Sequence, residues 1–418
     1  MKQIINELRA QPVIGSVIVL GTAFSIFLIM IVVMIQQART APIPDEPRRD
    51  RTLYCSFIKY HHPQGWTMGT GLSVNLATEL FGGIPETESY TIYSGKWKQP
   101  VSAEGAVPFR TLCGTTDAGY WQVFGHRFIA GHPYDTAAVA SKAKEAVITA
   151  AVAKRLFGSP EGAIGKNISV SRRPFKVVGV VDDITPLATQ AFGSVWTPIE
   201  PVYNPDEIGG GYRVAVVAQS SDRLQAVRDE VGRRRSAYNT RMAAVEGPEL
   251  MELETLFTQE QNALVGDESG PPDVEGARRM RWVVFLILLV VPAVNLGSMT
   301  QSRLRRRTSE IGVRRAFGAS KTRVMLDILA ENMVVTLLGG VLGLLFSIGF
   351  ASLLAPMVFA DNSDISASSV VGLSSLLHWS TFGLALLFCL VLNLLSSGLP
   401  AWNASRVNPV TAIGGFRK

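Results

Sequence analysis

Four long apolar stretches interrupt a sequence that otherwise mixes polar and apolar positions. The first, from Val13 to Ile35, contains no charged residue, and a helix needs about 20 mainly apolar residues to cross a bilayer. The other three run from Trp282 to Met299, from Leu329 to Phe359 and from Leu376 to Leu399. Charges lie only near their edges, and one charge at the bilayer centre costs about 2.5 to 3.5 kcal/mol. This distribution predicts four membrane-spanning helices.

The spans divide the chain into a membrane part and one large polar segment. A cleaved secretory signal would end at a small-residue site, which Gln36 to Arg39 does not supply, so the first span is predicted to stay attached. The expected segments are an N-terminal cytoplasmic segment with the first span (1–37), a large domain (38–280), the second span (281–300), a loop (301–325), the third span (326–360), a short loop (361–375), the fourth span (376–400) and a tail (401–418).

Basic residues are concentrated in the loop between the second and third spans. The loop between the third and fourth spans has only Asp361 and Asp364 as charged residues. Loops rich in Lys and Arg stay in the cytoplasm, so both termini are predicted to be cytoplasmic and segment 38–280 to be outside. The basic residues of the 301–325 loop are Arg303, Arg305, Arg306, Arg307, Arg314, Arg315, Lys321 and Arg323.

The large polar segment contains signals for both strands and helices. Glu145 to Thr149 is strand-like and leads into a helix ended by Gly158, with Ala150, Ala153, Leu156 and Phe157 on its predicted apolar face. Two alternating runs flank Ser171 to Pro174 and predict a hairpin, and Tyr212 to Gln219 predicts a strand before another helix. Gly266 to Val274 is predicted to be flexible. The expected fold is a membrane protein with four transmembrane α-helices and a large α+β extracytoplasmic domain between helices 1 and 2, with two subdomains.

Composition agrees with this picture and narrows the classes of function. Hydrophobic residues make up 47% of the chain and charged residues 18%, with a mean hydropathy of +0.22. These values exclude an intrinsically disordered protein and disfavour a wholly soluble one. The net charge of +6 is explained largely by the basic loop and termini, so no nucleic-acid partner is expected.

The three cysteines are too few for a disulfide scaffold. Cys55 and Cys113 both lie in the outer domain, where an oxidising compartment would allow a disulfide. The alternative is that both cysteines are buried thiols. A disulfide requires their Cα atoms to lie within about 7 Å of each other, and the sequence does not give this distance. Cys389 lies in the fourth span, where it faces lipid or packs against another helix.

No catalytic, metal or nucleotide motif is present in the sequence. The chain has no HEXXH or GXSXG motif, and the histidines are interpreted as loop residues, so no metal site is predicted. Gly165 and Lys166 resemble part of a phosphate loop, but Asn167 stands where a serine or threonine should follow. The histidines and neighbouring acids that were considered for a metal site are His61, His62, His126, His132, Asp117 and Asp135.

The basic loop also contains an amphipathic pattern. In a helical reading Val313, Ala316 and Phe317 share one side, and Glu310 can pair with Arg314 one turn later. Gly318 would end this helix, and a serine two residues later would cap the next one. A short helix with apolar and basic sides fits a membrane surface or a groove in a partner.

With these motifs the chain resembles the permease subunits of the MacB/FtsX-type ABC transporter family, the mechanotransmission transporters. Three stretches carry the resemblance: SEIGVRRAFGAS after the second span, a third span with Glu331 and several glycines, and a tail of the form PAxxAxxxxPVxAI from Pro400. The AKRLFG and FKVVGVVDD sequences of the outer domain also resemble the family. The resemblance implies a periplasmic MacB-like domain with porter-like and sabre-like parts in a bacterial inner membrane.

The resemblance further implies a permease without catalysis of its own. It would carry no cofactor, while ATP and Mg are bound by a separate ATPase subunit on which the cytoplasmic loop is seated as a coupling helix. Gly339 and Gly343 would allow close helix packing. The residues expected to contact the ATPase are Glu310, Ile311, Arg314, Arg315, Ala316, Phe317, Gly318 and Ala319.

The implied assembly and activity leave several alternatives open. The expected partners are the ATPase, a second identical or related permease, membrane lipid and a periplasmic adaptor. The leading function is ATP-driven export of an antimicrobial compound or peptide. The alternatives are release of lipoproteins from the inner membrane, regulation of a cell-wall hydrolase as by FtsX, and an ectodomain enzyme on a membrane anchor.

Overall fold

The structure is a computed structural model that describes residues 12–200, 209–251, 256–264, 272–359 and 379–406. The chain forms two compact units, a helical unit that includes Glu275–Leu354 and a mixed unit that includes Ala38–Val274. The helices are α1 (Pro12–Thr40), α2 (Val74–Phe81), α3 (Tyr120–Val123), α4 (Thr136–Ala140), α5 (Ala150–Phe157), α6 (Leu224–Ala243), α7 (Gln259–Asn262), α8 (Val274–Arg306), α9 (Thr308–Ala316), α10 (Lys321–Phe359) and α11 (Trp379–Ser405).

The strands found in the described residues all belong to the mixed unit. They are β1 (Thr52–Cys55), β2 (Ile58–His61), β3 (Thr67–Leu72), β4 (Thr87–Ser94), β5 (Trp97–Ala103), β6 (Phe109–Thr116), β7 (Phe128–Gly131), β8 (Glu145–Thr149), β9 (Asn167–Val170), β10 (Arg173–Val181), β11 (Val195–Pro198), β12 (Gly209–Gly210), β13 (Tyr212–Ala218), β14 (Glu249–Leu250) and β15 (Leu256–Thr258).

Within the described residues, four helices are long and apolar enough to cross a membrane, as the hydropathy pattern predicts. They are α1, α8, α10 and α11. Helices α8 and α10 extend beyond the predicted spans at their polar ends, because a helix continues past the bilayer until a cap or a break ends it. The proposed start of the fourth span, Leu376, lies outside the described residues.

Close packing in the helical unit depends on glycines of α10. A Cβ added to Gly339 would lie 2.7 Å from the Cβ of Thr22, and one added to Gly343 would lie 2.5 Å from the carbonyl oxygen of Ala23. Both distances are too short for a side chain, so α10 approaches α1 closely at the two glycines for which the sequence predicts helix packing. Gly340 makes a similar approach to Cys389, which is buried in the bundle.

The first part of the mixed unit is a sheet covered by helices. Strands β4, β13 and β1 pair in antiparallel order, with Val214 opposite Ile92 on one side and opposite Cys55 on the other. Helices α2 and α6 contribute to a core that also contains apolar side chains of these strands. Ser73 caps α2 by accepting a hydrogen bond from the Leu76 amide at 3.2 Å.

The second part is a closed ring of six strands in the order β5, β6, β11, β8, β10, β9, with β9 pairing β5 again. The β6–β11 and β8–β10 pairs are parallel and the other pairs are antiparallel. Apolar side chains from all six strands and from α5 form one core. The two parts therefore have separate hydrophobic cores.

The local predictions in this unit agree with the structure in most details. Strand β8, helix α5 and a left-handed Gly158 at φ 84° follow one another as expected, and β9 and β10 form the predicted hairpin. Ser171 and Arg172 occupy its turn with φ of 48° and 68°. The buried face of α5 consists of Val152, Ala153 and Leu156. Phe157 is partly buried against the same core, as predicted, and Ala150 is half-buried at the first position of the helix.

The disulfide alternative for Cys55 and Cys113 is not realised. Both cysteines are buried thiols: the Cys55 Sγ donates to the Phe57 carbonyl at 3.6 Å, and the Cys113 Sγ donates to the Thr111 carbonyl at 3.5 Å. They belong to the two different cores, and this separation explains why no bond forms. Most of the segment predicted to be flexible, from Gly266 to Pro271, lies outside the described residues.

Candidate functional site

The short helix α9 lies between the membrane helices α8 and α10 in the chain, and the helical conformation is interrupted at both of its ends. Arg307 leaves the helical conformation at φ −101° and ψ 14°, which separates α8 from α9. Gly318, at φ +94°, ends α9 in a conformation that favours glycine. The Ser320 hydroxyl then accepts a hydrogen bond from the Arg323 amide at 3.2 Å and caps α10. The predicted glycine stop and serine cap are therefore both present.

One side of α9 is anchored on its own unit through Ile311. This side chain is only 7% exposed and packs with Leu304, Val324, Ile328 and Ala401. The expected contact of Ile311 with a partner was therefore wrong, because its apolar surface is already buried within this chain. Ala319 is also partly buried against the same cluster. This anchoring fixes which side of α9 faces outward.

The opposite side of α9 exposes an apolar surface next to a basic one. The Phe317 side chain is 89% exposed and Val313 is 41% exposed, and Ala316, Gly318 and Arg314 are also exposed. A phenylalanine left in water forgoes about 1.5 to 3 kcal/mol of burial free energy. The exposed face therefore has the composition of a protein-binding surface, with an aromatic anchor and an arginine at its rim.

Arg307 connects α9 to α10 through an ion-pair network that sequence reasoning missed. Its Nε lies 3.0 Å from the Glu310 Oε2, and its Nη1 donates to both carboxylate oxygens of Glu331 at 3.0 and 3.1 Å. Glu310 in turn pairs with Arg314 at 2.6 Å, as predicted from their spacing. The sequence signal for the first pair was the three-residue spacing from Arg307 to Glu310. The Glu331 pair has no local signal.

The charges of this network keep Glu310 ionised. The hydrogen bond from Arg307 lowers the pKa of the Glu310 carboxyl below its usual value, and the Arg307 and Arg314 charges act in the same direction against partial burial. A carboxylate held by two arginines stays negative at neutral pH. The network therefore connects the exposed helix to a membrane helix by charge-assisted hydrogen bonds, which are stronger than neutral ones.

A second charged pair is buried at the start of the mixed unit. Arg49 and Glu46 are almost fully buried and 2.6 Å apart. Arg49 also donates to the carbonyls of Ala38 and Ala41 at 3.0 and 3.1 Å. The Glu46 Oε1 accepts hydrogen bonds from the Gln190 and Ala191 amides at 2.8 Å each. The sequence did not indicate this pair, which fixes the last turn of α1 to the loop before β11.

The described residues contain no group of three His, Cys, Asp or Glu side chains that could hold a metal ion. The interpretation of His61 as a loop residue was wrong, because it is the last residue of β2. His132 is exposed, and its Nδ1 lies 2.9 Å from the Pro133 carbonyl oxygen. His126 lies in the loop between α3 and β7, as predicted, but both of its ring nitrogens are buried and its ring stacks on Tyr120, with the two ring centroids 5.2 Å apart. Burial, helped by the charge of Lys96, lowers the pKa of His126 to about 3.

This architecture is that of a membrane permease with a large extracytoplasmic domain between its first and second spans. Residues 16–234 match the MacB-like periplasmic core domain, and residues 282–409 match the FtsX-like permease C-terminal domain. The chain belongs to the MacB/FtsX-type family of ABC transporter permeases. It is a multi-pass protein of the inner membrane.

Curated relatives include MacB proteins and one permease of unknown role. The chain is 27% identical over 303 residues to the "Macrolide export ATP-binding/permease protein MacB" of Burkholderia cenocepacia (strain HI2424), covering 70% of this chain and 40% of that protein. It is 21% identical over 309 residues to the "Uncharacterized ABC transporter permease YknZ" of Bacillus subtilis (strain 168), covering 72% of this chain and 69% of that protein. The chain thus spans about two fifths of the length of that MacB relative.

Solved structures that resemble the chain come from extracytoplasmic parts of similar proteins. The periplasmic region of MacB from Actinobacillus actinomycetemcomitans has 16% identity and a TM-score of 0.35, covering 51% of this chain and 92% of that one. The extracellular domain of the noncanonic ABC-type transporter YknZ from Gram-positive bacteria has 14% identity and a TM-score of 0.32, covering 47% of this chain and 100% of that one.

Proposed function

We propose that this chain transmits ATP-driven motion of a separate ATPase subunit to its periplasmic domain, and that this motion expels or releases a substrate. Helix α9 acts as the coupling helix, with both chain termini in the cytoplasm. A second permease copy, identical or related, completes a dimer over two ATP-binding subunits. The chain itself contributes no catalytic residue to ATP hydrolysis.

The observation that carries this proposal is the two-sided construction of α9. Ile311 fixes one side to the bundle, while Phe317 projects from the other with 89% of its surface exposed. A helix that served only to place positive charge at the membrane would not need an exposed aromatic residue. Burial of Phe317 in a groove of the ATPase supplies affinity, and Arg314 supplies charge complementarity at the rim.

The route of motion from α9 into the membrane begins at Arg307. A shift of α9 changes the geometry of the Arg307–Glu331 pair, which joins it to α10 at 3.0 Å. Helix α10 packs on α1 through Gly339 and Gly343, so a displacement of α10 cannot be absorbed by soft side chains between the two helices. Helix α1 then carries the motion onward.

Export of an antimicrobial compound or peptide is the proposed activity, because the MacB relative in Burkholderia carries the name of a macrolide exporter. Lipoprotein release and FtsX-like regulation of a cell-wall hydrolase use the same coupling and differ only in what the periplasmic domain contacts. A periplasmic adaptor fits the export alternative. The substrate can be identified by deleting the gene and measuring which compounds become more toxic to the cells.

Replacing Phe317 with Asp tests the coupling contact. We expect the Phe317→Asp variant to insert into the membrane normally and to lose its ATPase partner, since a charge replaces the apolar anchor. The measurement is the ratio of ATPase to permease that co-purifies from native membranes in mild detergent, quantified by mass spectrometry. A loss of about tenfold or more corresponds to about 1.4 kcal/mol of binding free energy.

A matched control is Val107→Asp, which also replaces an exposed apolar residue, 79% exposed, but lies in the mixed unit. This variant should retain the ATPase at the level of the unmodified protein. Equal co-purification with Phe317→Asp would remove the basis for assigning α9 as the coupling helix.

A further inference from the structure

A cavity of about 320 Å³ lies among helices α1, α8 and α11 of the helical unit. Helix α1 lines it with Val33, Gln36 and Gln37, and the three-residue and four-residue spacings place these side chains on one face. Val33 is buried in the wall, whereas both glutamines are half-buried. The α1 side of the cavity therefore changes from apolar to polar towards the end of the helix.

The α8 wall repeats this change in polarity. Arg278 and Arg281 line one end of the cavity, and Trp282 and Phe285 continue along the same face. The Trp282 indole is 74% exposed, and its ring lies 6.3 Å from the Phe285 ring. Two guanidinium groups and an exposed tryptophan at the start of a membrane helix are typical of the level of lipid headgroups.

The polar end of the cavity is formed by residues that adjoin the mixed unit along the chain. Gln37 immediately precedes Ala38, the first residue of the mixed unit, and the α8 arginines follow shortly after its last residue, Val274. Phe285 lies further into the membrane helix, and α11 contributes Leu384 to the apolar part of the wall. The cavity thus runs from charged to apolar in the direction from the membrane surface to the bilayer core.

We propose that this cavity binds an anionic phospholipid of the periplasm-facing leaflet. Arg278 and Arg281 bind the headgroup phosphate by charge-assisted hydrogen bonds, and the amides of Gln36 and Gln37 bind headgroup oxygens. One acyl chain lies along Phe285. A free phosphate ion would use only the polar end, so the apolar wall favours a lipid.

The test compares lipids retained by the full-length protein. The protein is reconstituted in nanodiscs with equal amounts of phosphatidylglycerol and phosphatidylcholine, extracted into mild detergent, and analysed by native mass spectrometry. We expect the unmodified protein to retain phosphatidylglycerol preferentially. The double variant Arg278→Gln, Arg281→Gln should lose this preference by about tenfold or more, because it removes both charge-assisted hydrogen bonds to the headgroup phosphate.

The matched control is Arg279→Gln, which removes a neighbouring charge that is exposed and does not line the cavity. It should retain phosphatidylglycerol like the unmodified protein. Equal retention of both lipids by the unmodified protein, an unchanged preference in the double variant, or an equal loss in the control would each overturn the proposal. Displacement of the lipid by inorganic phosphate alone would identify the polar end as a simple anion site.

A second measurement places the lipid without relying on the arginine variants. Phosphatidylglycerol with a spin label on its acyl chain should quench the fluorescence of Trp282, measured as the difference between the unmodified protein and Trp282→Phe. Equal quenching by labelled phosphatidylcholine would contradict a specific site. Both assays use the permease alone, so their outcome is independent of the coupling contact at Phe317.

Discussion

At the scale of single residues, burial decides chemistry that the sequence leaves open. His126 lies in an aromatic cluster with Tyr120, Trp121 and Trp196, and its ring nitrogens are buried. Burial first, and the charge of Lys96 second, lower the pKa of this imidazole to about 3. An ordinary histidine in the unfolded chain titrates near pH 6.5. His126 is therefore neutral in the folded protein where it would be charged in the unfolded one.

This difference makes the stability of the protein dependent on pH. Between pH 6.5 and about 3 the unfolded chain binds a proton at His126 that the folded chain does not, so stability falls as the pH falls through that window. The His126→Phe variant keeps an aromatic ring and removes the proton site. Relative to this variant, we expect the unmodified protein to lose about 2 kcal/mol of unfolding free energy between pH 7.5 and 5.

The measurement is denaturant unfolding of the full chain in detergent, followed by tryptophan fluorescence at each pH. A comparison with the variant is needed because burial raises the pKa of Asp45 and Asp117 to about 6, which acts in the opposite direction. If the unfolding free energies of the two proteins changed equally with pH over this range, protonation of His126 would not destabilise the folded protein, and the prediction would be wrong.

At the scale of elements, the structure explains how a short helix can be held firmly while one face stays open. Helix α9 has only a few apolar positions, and Ile311 uses one of them for anchoring. Arg307 supplies a second attachment through Glu331. Both side chains of this pair are about one-fifth exposed, so solvent screens the pair less than it would at the surface.

A double-mutant cycle on Arg307 and Glu331 measures this attachment. The single variants Arg307→Met and Glu331→Gln should each destabilise the protein, because each removes one side of a partly buried ion pair. The double variant should be less destabilised than the sum of the two, by about 1 kcal/mol. Thermal unfolding in detergent measures this coupling free energy. The variant Arg305→Met, at an exposed position, is the control for the loss of one positive charge. Additive effects would mean that the pair does not hold α9.

At the scale of the whole molecule, the proposed mechanism requires the basic loop and the mixed unit to lie on opposite sides of the membrane. Ser309 on α9 is exposed and Val107 in the mixed unit is 79% exposed. The native cysteines are all buried, with exposures of 0%, 4% and 2%. Single cysteines at these two exposed positions therefore give a clean labelling test of orientation.

We expect a membrane-impermeant maleimide to label Val107→Cys in intact spheroplasts and Ser309→Cys only after lysis. The reason is the positive-inside rule, since the loop around Ser309 holds the arginines that disfavour translocation. Labelling of Ser309→Cys from outside would reverse the topology and exclude α9 from contact with a cytoplasmic ATPase.

The sequence by itself determined the features that depend on neighbouring residues. Hydropathy gave four spans because a bilayer selects for about 20 apolar residues in a row. Alternation and turn chemistry gave the β9–β10 hairpin, and Gly158, Gly318 and Ser320 marked helix ends because caps act over one turn. The Glu310–Arg314 pair was predictable because residues four apart are neighbours on a helix surface.

Tertiary structure alone decided the features that depend on residues far apart in the chain. Closure of the six-strand ring pairs β6 with β11. The Arg307–Glu331 pair and the hydrogen bond from the Gln190 amide to Glu46 also join segments that no local pattern relates. It also placed Cys55 and Cys113 in separate cores and turned Ile311 inward. Burial and pairing are properties of the packed chain, and short-range periodicity does not specify which distant segments meet.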